Sequence, residues 1–400
     1  MASCKVVYIS AQVCDEGSLH LNSCLTKSHL DWHPIDRKIY KFFNINLNFI
    51  QTVKSHFVIY PIPVSINYFW NIGFIVFICI VIQILTGVIL TLFYSVDNNY
   101  HSIIYILREV YHGYIIKYIH NNTPTLIFLF MFLHLSRSLY YNINTFNILT
   151  WYNGIILLSL VSVISYLGYV LAWGQISYWG ATVILNLLHP LLVYLISGNY
   201  YITVICLRRF FIFHFILPFI LLVFFIVHVY YLHDLGSSNP VSSTSPYLTN
   251  MMLFVIVKDI HIVINLFSFI FLTWDSFMLS HPDNLIYPDP LKTPIHIIPE
   301  WYFLSYYTLL KIIPSKNIGF MTMILVFLVF IALGDVYITP LTIYKPLLFF
   351  VFYLYIYLLW IGAQYPVPTY IYYGRVAYIL FGISILILTT PAAKVSHSRL

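Results

Sequence analysis

Apolar runs long enough to cross a bilayer recur eight times along the chain. A helix rises about 1.5 Å per residue, so about 20 mostly apolar residues span the hydrocarbon layer. The runs cover about 70–95, 115–140, 151–172, 209–232, 252–274, 318–338, 345–363 and 370–391. They predict an all-α polytopic membrane protein with eight transmembrane helices. Between the third and fourth runs, 173–208 is too broken by Gly and Pro to span. A second long connection, 275–317, carries Pro282, Pro288, Pro290, Pro294, Pro299 and Pro314. Long loops are uncommon unless they have a function. Residues 1–45 form a polar extension with no apolar core and with Asp15 and Glu16. They read neither as a secretory signal nor as an acid-poor transit peptide. The stretch 35–58 suits a basic surface helix at the inner interface. Three regions follow: 1–45, an extension; 46–235, four helices with an outer loop; and 236–400, four more helices.

Composition agrees with a lipid solvent. Of 400 residues, 60% are hydrophobic and 8% charged, against about 25% charged in a soluble domain. The net charge of +6 is scattered and forms no stripe for nucleic acid. With eight crossings, Lys27, Arg37, Lys38, Lys41, Lys54, Arg137, Lys258, Lys394 and Arg399 fall on one side. The basic side is the inner one, so both termini face inward. Cys4, Cys14, Cys24, Cys79 and Cys206 contain no CxxC, which argues against a disulfide framework, a thiolate zinc site and covalent haem.

Four histidines change the picture. His120 and His134 lie in the second run, and His214 and His228 in the fourth, each pair separated by 14. Fourteen residues turn a helix to within about 40° of four full turns and advance it about 21 Å. Each pair therefore faces one side of its helix, at two depths. Both helices cross in the same direction, so His120 meets His214 at one depth and His134 meets His228 at the other. Two imidazoles without carboxylate or thiolate suggest bis-histidine haem iron. A lone buried histidine is often a satisfied core residue; two pairs with one spacing on parallel helices are not explained that way.

Glycines repeat the period. Gly73 and Gly87 in the first run, and Gly154 and Gly168 in the third, are also 14 apart. A helical glycine costs about 1 kcal/mol, and clearance for a haem repays it. The first four helices thus form a two-haem bundle. Arg137, Arg209 and Lys117 lie within about a turn and a half of the histidines and suit haem propionates.

The loop strings Trp173-Gly174-Gln175-Ile176-Ser177-Tyr178-Trp179-Gly180-Ala181-Thr182 and Pro299-Glu300-Trp301-Tyr302 resemble mitochondrial cytochrome b. So do Trp70-Asn71-Ile72-Gly73, Gln83-Ile84-Leu85-Thr86-Gly87, Gly236-Ser237-Ser238-Asn239-Pro240, Lys258-Asp259-Ile260 and Trp360-Ile361-Gly362-Ala363-Gln364. The similarity runs from about 61 to 391, and its wording around 280–316 is closest to alveolate, notably apicomplexan, members. The resemblance implies the subunit of respiratory complex III, a ubiquinol:cytochrome c oxidoreductase. It implies two non-covalent b haems, low-potential with His120/His214 and high-potential with His134/His228. Quinol would be oxidised outside at Glu300, with Tyr169, Gly180, Tyr302 and Tyr307 lining the site. Quinone would be reduced inside near His233, Ser237, Lys258 and Asp259. Proton translocation couples the two sites.

The resemblance further implies the mitochondrial inner membrane, both termini in the matrix, and a homodimeric complex with an iron–sulfur protein, a c-type cytochrome and other subunits. Departures from the family are Ala172 for Pro, Phe77 for a small residue, Lys117 for Arg and Asp234 for Glu. The competing class is a transporter or proton channel with buried histidines. It predicts helices broken at mid-membrane, whereas the histidine-bearing runs here are continuous.

Overall fold

The computed structural model describes residues 54–240, 247–273, 279, 281–335 and 341–389. The expected extension, most of the 35–58 surface helix and the C-terminal lysine and arginine lie outside the described residues. Residues up to Ile59 form one unit, of which Lys54–Val58 is a single π-helical turn. The second unit, Tyr60–Leu400, carries everything that follows.

Its elements in chain order are β1 (Pro61–Pro63), α1 (Ile72–Thr91), α2 (Asn99–Arg108), α3 (Gly113–Tyr140), α4 (Ile143–Phe146), α5 (Ile148–Leu171), α6 (Gln175–Leu185), α7 (Pro190–Ser197), α8 (Val204–Leu235), β2 (Leu248–Asn250), α9 (Met251–Thr273), α10 (Leu304–Ile312), α11 (Lys316–Ala332), α12 (Leu341–Ala363) and α13 (Pro368–Thr389). A helix falls on each of the eight apolar runs. Among the described residues, five helices (α1, α5, α8, α12 from Tyr344, and α13) are long and apolar enough to cross a membrane. Helix α3 is as long, but Lys117, His120, Asn121, Asn122, His134 and Arg137 make it more polar. A chain with this little polar surface needs such polar groups for something other than solubility.

Two tight helix pairs build the first half: α1 against α3 and α5 against α8. Their core includes Ile75, Cys79, Phe128, Val161 and Leu221, joined by Leu266 of α9 and by Tyr302. In the second half, α12 packs on α10 and α13 around Leu348, Leu358, Phe381 and Leu388. The Lys311 ammonium donates to the carbonyls of Gly362 (2.7 Å), Gln364 (2.5 Å) and Ile361 (3.3 Å), placing a cation at the C-terminus of α12.

Three features had no sequence signal. β1 pairs antiparallel with β2, Pro61 opposite Asn250 and Pro63 opposite Leu248; a two-stranded ribbon tolerates prolines that cannot donate. Helix α2 fills the connection between α1 and α3. The 173–208 connection folds into α6 and α7, the latter begun by Pro190 with the His189 ring accepting from the Leu191 N–H.

The two long loops clasp each other. Gln175 donates through Nε2 to the Lys292 carbonyl (2.6 Å) and accepts from the Asp289 N–H (2.7 Å). Asn284 Oδ1 accepts from the Ser177 N–H, and Trp179 Nε1 donates to the Asp289 carbonyl. A Cβ on Gly174 would stand 2.1 Å from the Asn284 carbonyl oxygen, so only glycine admits this approach. Trp173, which follows Ala172, adopts φ +50° and is buried.

Candidate functional site

The 14-residue spacing puts the four histidines where helical geometry requires. His120 and His214 have ring centroids 6.2 Å apart; His134 and His228 stand 6.4 Å apart. Two imidazoles binding one metal through ring nitrogens, each about 2.0 Å from it, bring their centroids to about 6.3 Å. Both separations fit a shared iron.

The glycines meet the imidazoles themselves. A Cβ on Gly87 would lie 3.0 Å from His120 Cε1, and one on Gly168 would lie 2.5 Å from His214 Cε1. On Gly73 it would lie 3.2 Å from His134, and on Gly154 3.3 Å from His228. In the structure the space each one opens is taken first by a histidine ring from the antiparallel neighbour helix.

Hydrogen bonds define which nitrogen faces inward at one pair. Thr86 Oγ1 donates to the Ile82 carbonyl (2.7 Å), which commits its only proton, and sits 3.0 Å from His120 Nδ1. It therefore accepts from Nδ1–H and leaves Nε2 with a lone pair. His214 Nδ1 donates to the Ile164 carbonyl at 2.9 Å, with the same result. The backbone supports this geometry. Pro124 lies four residues after His120 and has no N–H, so the His120 carbonyl loses its helical partner; Gln83 Nε2 donates to it at 2.8 Å. Pro218 stands in the same relation to His214.

The other pair is set differently. Arg137 lies 3.3 Å from His134 Nδ1, and since a guanidinium only donates, that nitrogen accepts. His228 is buried and meets the Thr150 backbone, while Arg137 Nε is buried without a formed hydrogen bond. The Arg137 guanidinium also lies over the Trp70 ring, 5.2 Å from its centroid. A buried cation with an unused donor suits an anionic group such as a propionate. The centroid separations and glycine cradles fit two haems; the donor set fits directly at His120/His214, and at the other pair His134 fits once its proton moves to Nδ1 and the Arg137 contact parts.

A cavity opens beside the first pair. It is lined by Lys117, His120, Gly87, Gly168, Tyr169, His214, Glu300 and Tyr302. Glu300 precedes the short 3₁₀ turn Trp301–Phe303, which leads into α10. Burial pushes its carboxyl up to about 7, and the Lys117 charge works against that rise. Tyr302 is buried and stacks on Phe128, centroids 3.9 Å apart. Gly180 and Tyr307, expected at the same site, do not line this cavity. Gly180 faces open space, and Tyr307 lies beneath the Lys311 ammonium. Arg209, expected at a haem rim, instead donates to the carbonyls of Leu195 (2.5 Å) and Ile196 (3.4 Å), which belong to the last turns of α7.

Near the second pair the structure gathers the other expected cluster. Asp259 is buried and accepts from Asn71 Nδ2 at 2.7 Å. Lys258 Nζ donates to the Ile66 carbonyl at 2.8 Å. His233 stacks on Tyr60, and Ser237 adjoins Ser238, whose Oγ accepts from Trp70 Nε1. Asn71 and Tyr60 are additions that sequence reasoning missed. Asn71 sits inside a quoted motif and was passed over; Tyr60 gave no signal.

Comparison with known proteins bears on the whole chain. The family model Cytochrome b/b6/petB matches residues 57–236, and Cytochrome b(C-terminal)/b6/petD matches 287–382. A cytochrome b of Plasmodium chabaudi is 40% identical, covering 84% of this chain and 94% of its own. One of Toxoplasma gondii is 36% identical, covering 82% and 94%. Among solved structures, a chain of a hyperthermophilic respiratory complex III superposes with a TM-score of 0.78 at 25% identity, over 87% of this chain and 97% of that one. The histidine spacing, the loop strings and these relatives converge, and the chain belongs to the cytochrome b family.

Proposed function

We propose that this chain is the cytochrome b subunit of a respiratory quinol:cytochrome c reductase. It crosses the mitochondrial inner membrane eight times, with both termini in the matrix. Helices α1, α3, α5 and α8 form the two-haem bundle. One observation carries the reading: two histidine pairs, at separations suited to a shared iron, with a carboxylate cavity opening beside the first. When bound, the haems supply one-electron carriers at two depths of the membrane.

The chain's own residues do the proton chemistry and the positioning. At the outer end, Glu300 hydrogen-bonds a quinol hydroxyl and accepts its proton. Burial in an acid-poor chain holds this carboxyl near neutrality, where a general base works best. Tyr302 and Tyr169 wall the cavity. Lys117 places a positive charge at the same site and, with Arg137, holds propionates. At the inner end, His233, Ser237, Lys258 and Asp259 bind quinone and deliver the protons its reduction consumes.

A quinol gives up two electrons, and sending both along one wire moves them only between quinone pools. A second one-electron acceptor is therefore needed, and the family resemblance makes it an iron–sulfur protein followed by a c-type cytochrome in a homodimeric complex. The clasped loops are their docking face. There Leu291 and Ile295 are 96% and 98% exposed, more than a loop beyond the bilayer would leave uncovered.

A reduced-minus-oxidised spectrum of the purified chain tests the reading. Two b-type haems, both released by acid–acetone, are expected; covalently retained haem, or none, overturns it. The isolated chain should fail to reduce cytochrome c with quinol, and the assembled complex should succeed.

A further inference from the structure

Tyr60 has no role in any motif, yet its ring lies flat on a residue proposed above as a quinone ligand. The centroids of Tyr60 and His233 are 3.9 Å apart with planes 20° from parallel. The two residues belong to different parts of the fold. His233 is in the last turn of α8, and Tyr60 immediately precedes β1.

Tyr60 is firmly held. Its carbonyl accepts from the Met251 N–H at 2.9 Å, and β1 pairs with β2 directly after it. The Val64 N–H donates to the Tyr247 carbonyl, extending the ribbon. Pro61 and Pro63 fix φ on either side of Ile62. The side chain is 7% exposed and packs in a cluster with Ile62, Ile66, Trp70, Met251 and Val255. Tyr60 is thus fastened to the head of α9, the helix carrying Lys258 and Asp259, while touching the end of α8. Gly236, at φ +90°, turns the chain past the tyrosine: a Cβ there would stand 3.9 Å from its hydroxyl oxygen.

We propose that Tyr60 is a positioning residue for His233 at the quinone-reduction site. This deepens the proposed function and rests on it. An imidazole binds quinone through an edge nitrogen, in the ring plane. A ring stacked on its face fixes that plane and leaves hydrogen bonding to the edge. Tyr60 therefore sets the direction in which the His233 edge meets the substrate, and ties that direction to α9. The stack belongs to the ring and not to the hydroxyl, which gives the proposal a sharp test.

The assembled complex in native membranes carries Glu300→Gln, so that electrons enter mainly at the inner end. Reduction of the His134/His228 haem by a short-chain ubiquinol is then followed. Tyr60→Leu should raise KM about tenfold, more than it lowers the limiting rate, since a misdirected imidazole edge loses most of its hydrogen bond to the quinol. Tyr60→Phe should keep the parent KM. Two-haem spectra verify assembly; if Tyr60→Leu fails to assemble, Tyr60→Met, which fills the space without a ring, carries the same comparison. A parent-like KM in the ringless variant overturns the proposal, as does a Phe variant as impaired as Leu. His233→Ala separates the two levels: loss of this reduction upholds the site reading whatever Tyr60 does, and an unchanged rate removes both.

Discussion

At the His120/His214 end each histidine is followed four residues later by a proline, and each Nδ1 already has an acceptor. At the His134/His228 end neither is true. There the Ser138 hydroxyl adds a bond to a His134 carbonyl that its own helix already serves, Arg137 donates to the His134 Nδ1, and His228 meets the Thr150 backbone, the counterpart of Ile164 at the first end. One spacing thus produced two sites of different character. The first is organised by the protein before any ligand arrives. The second keeps a buried guanidinium against a ligand histidine, and that contact must open when the imidazole turns its proton to Nδ1. Identical periodicity fixes where ligands stand, and the surrounding donors decide how ready they are.

Removing a ligand is the severest test of this contrast. His214→Ala should remove the haem at its end and lower quinol oxidation more than a hundredfold; His228→Ala should remove the other and stall quinol oxidation after one turnover. Each variant should retain one haem spectrum. Loss of both haems from either variant would show that the ends do not assemble independently. Next in size, Glu300→Gln should slow quinol oxidation by about 10²–10⁴, the usual range for a general base. Because burial lifts this carboxyl to about 7, the base is protonated below that pH. The parent rate should rise with pH through about 7, and the variant should lose that rise. A parental pH profile in the variant would reduce Glu300 to a loop residue.

The glycines sharpen the comparison further. Gly168→Ala forces a Cβ to 2.5 Å from His214 Cε1, closer than any relaxed contact, while Gly154→Ala meets His228 at 3.3 Å. Alanine gains about 1 kcal/mol of helix propensity in both cases. Haem occupancy should fall sharply for the first and hardly move for the second, as read from pyridine haemochrome content. A smaller effect than that of Gly168→Ala is expected from Thr86→Val, which removes the acceptor of His120 Nδ1–H. Partners of this kind typically contribute 10–100-fold to ligand affinity, and the lower end applies where His214 still faces the same site. Faster haem loss during dilution should report it, with Arg137 untouched.

How much of this was legible beforehand depends on the range of the signal. Helix periodicity is local, so His120, His134, His214 and His228, and the four glycines beside them, could be placed from spacing alone. The sequence says that space is needed at these glycines and not which ring stands in it. The contact of Arg209 with the carbonyls of α7 was not legible, because α7 had no clear pattern in the sequence. Gly180 and Tyr307 were assigned by resemblance; they lie on α6 and α10, and neither is among the residues that line the Glu300 cavity. The Tyr60 stack, the β1–β2 ribbon and the Lys311 cap each join residues far apart in the chain. No window of sequence contains both partners.

The clasp between the two long loops has a consequence for the order of events during synthesis. Gln175 waits for Asp289 and Lys292, partners 114 and 117 residues further along. Contacts of such separation form late, after the loop-closure entropy has been met. The first four helices can pair as they leave the ribosome, since α1 and α3, and α5 and α8, are near neighbours in the chain. The Gly174 turn cannot seat until Asn284 exists. A nascent chain stopped within α9 would hold its histidines at working distance and still lack the finished loop clasp, so on the proposed function cofactor insertion and completion of the quinol site would be separable steps in its assembly.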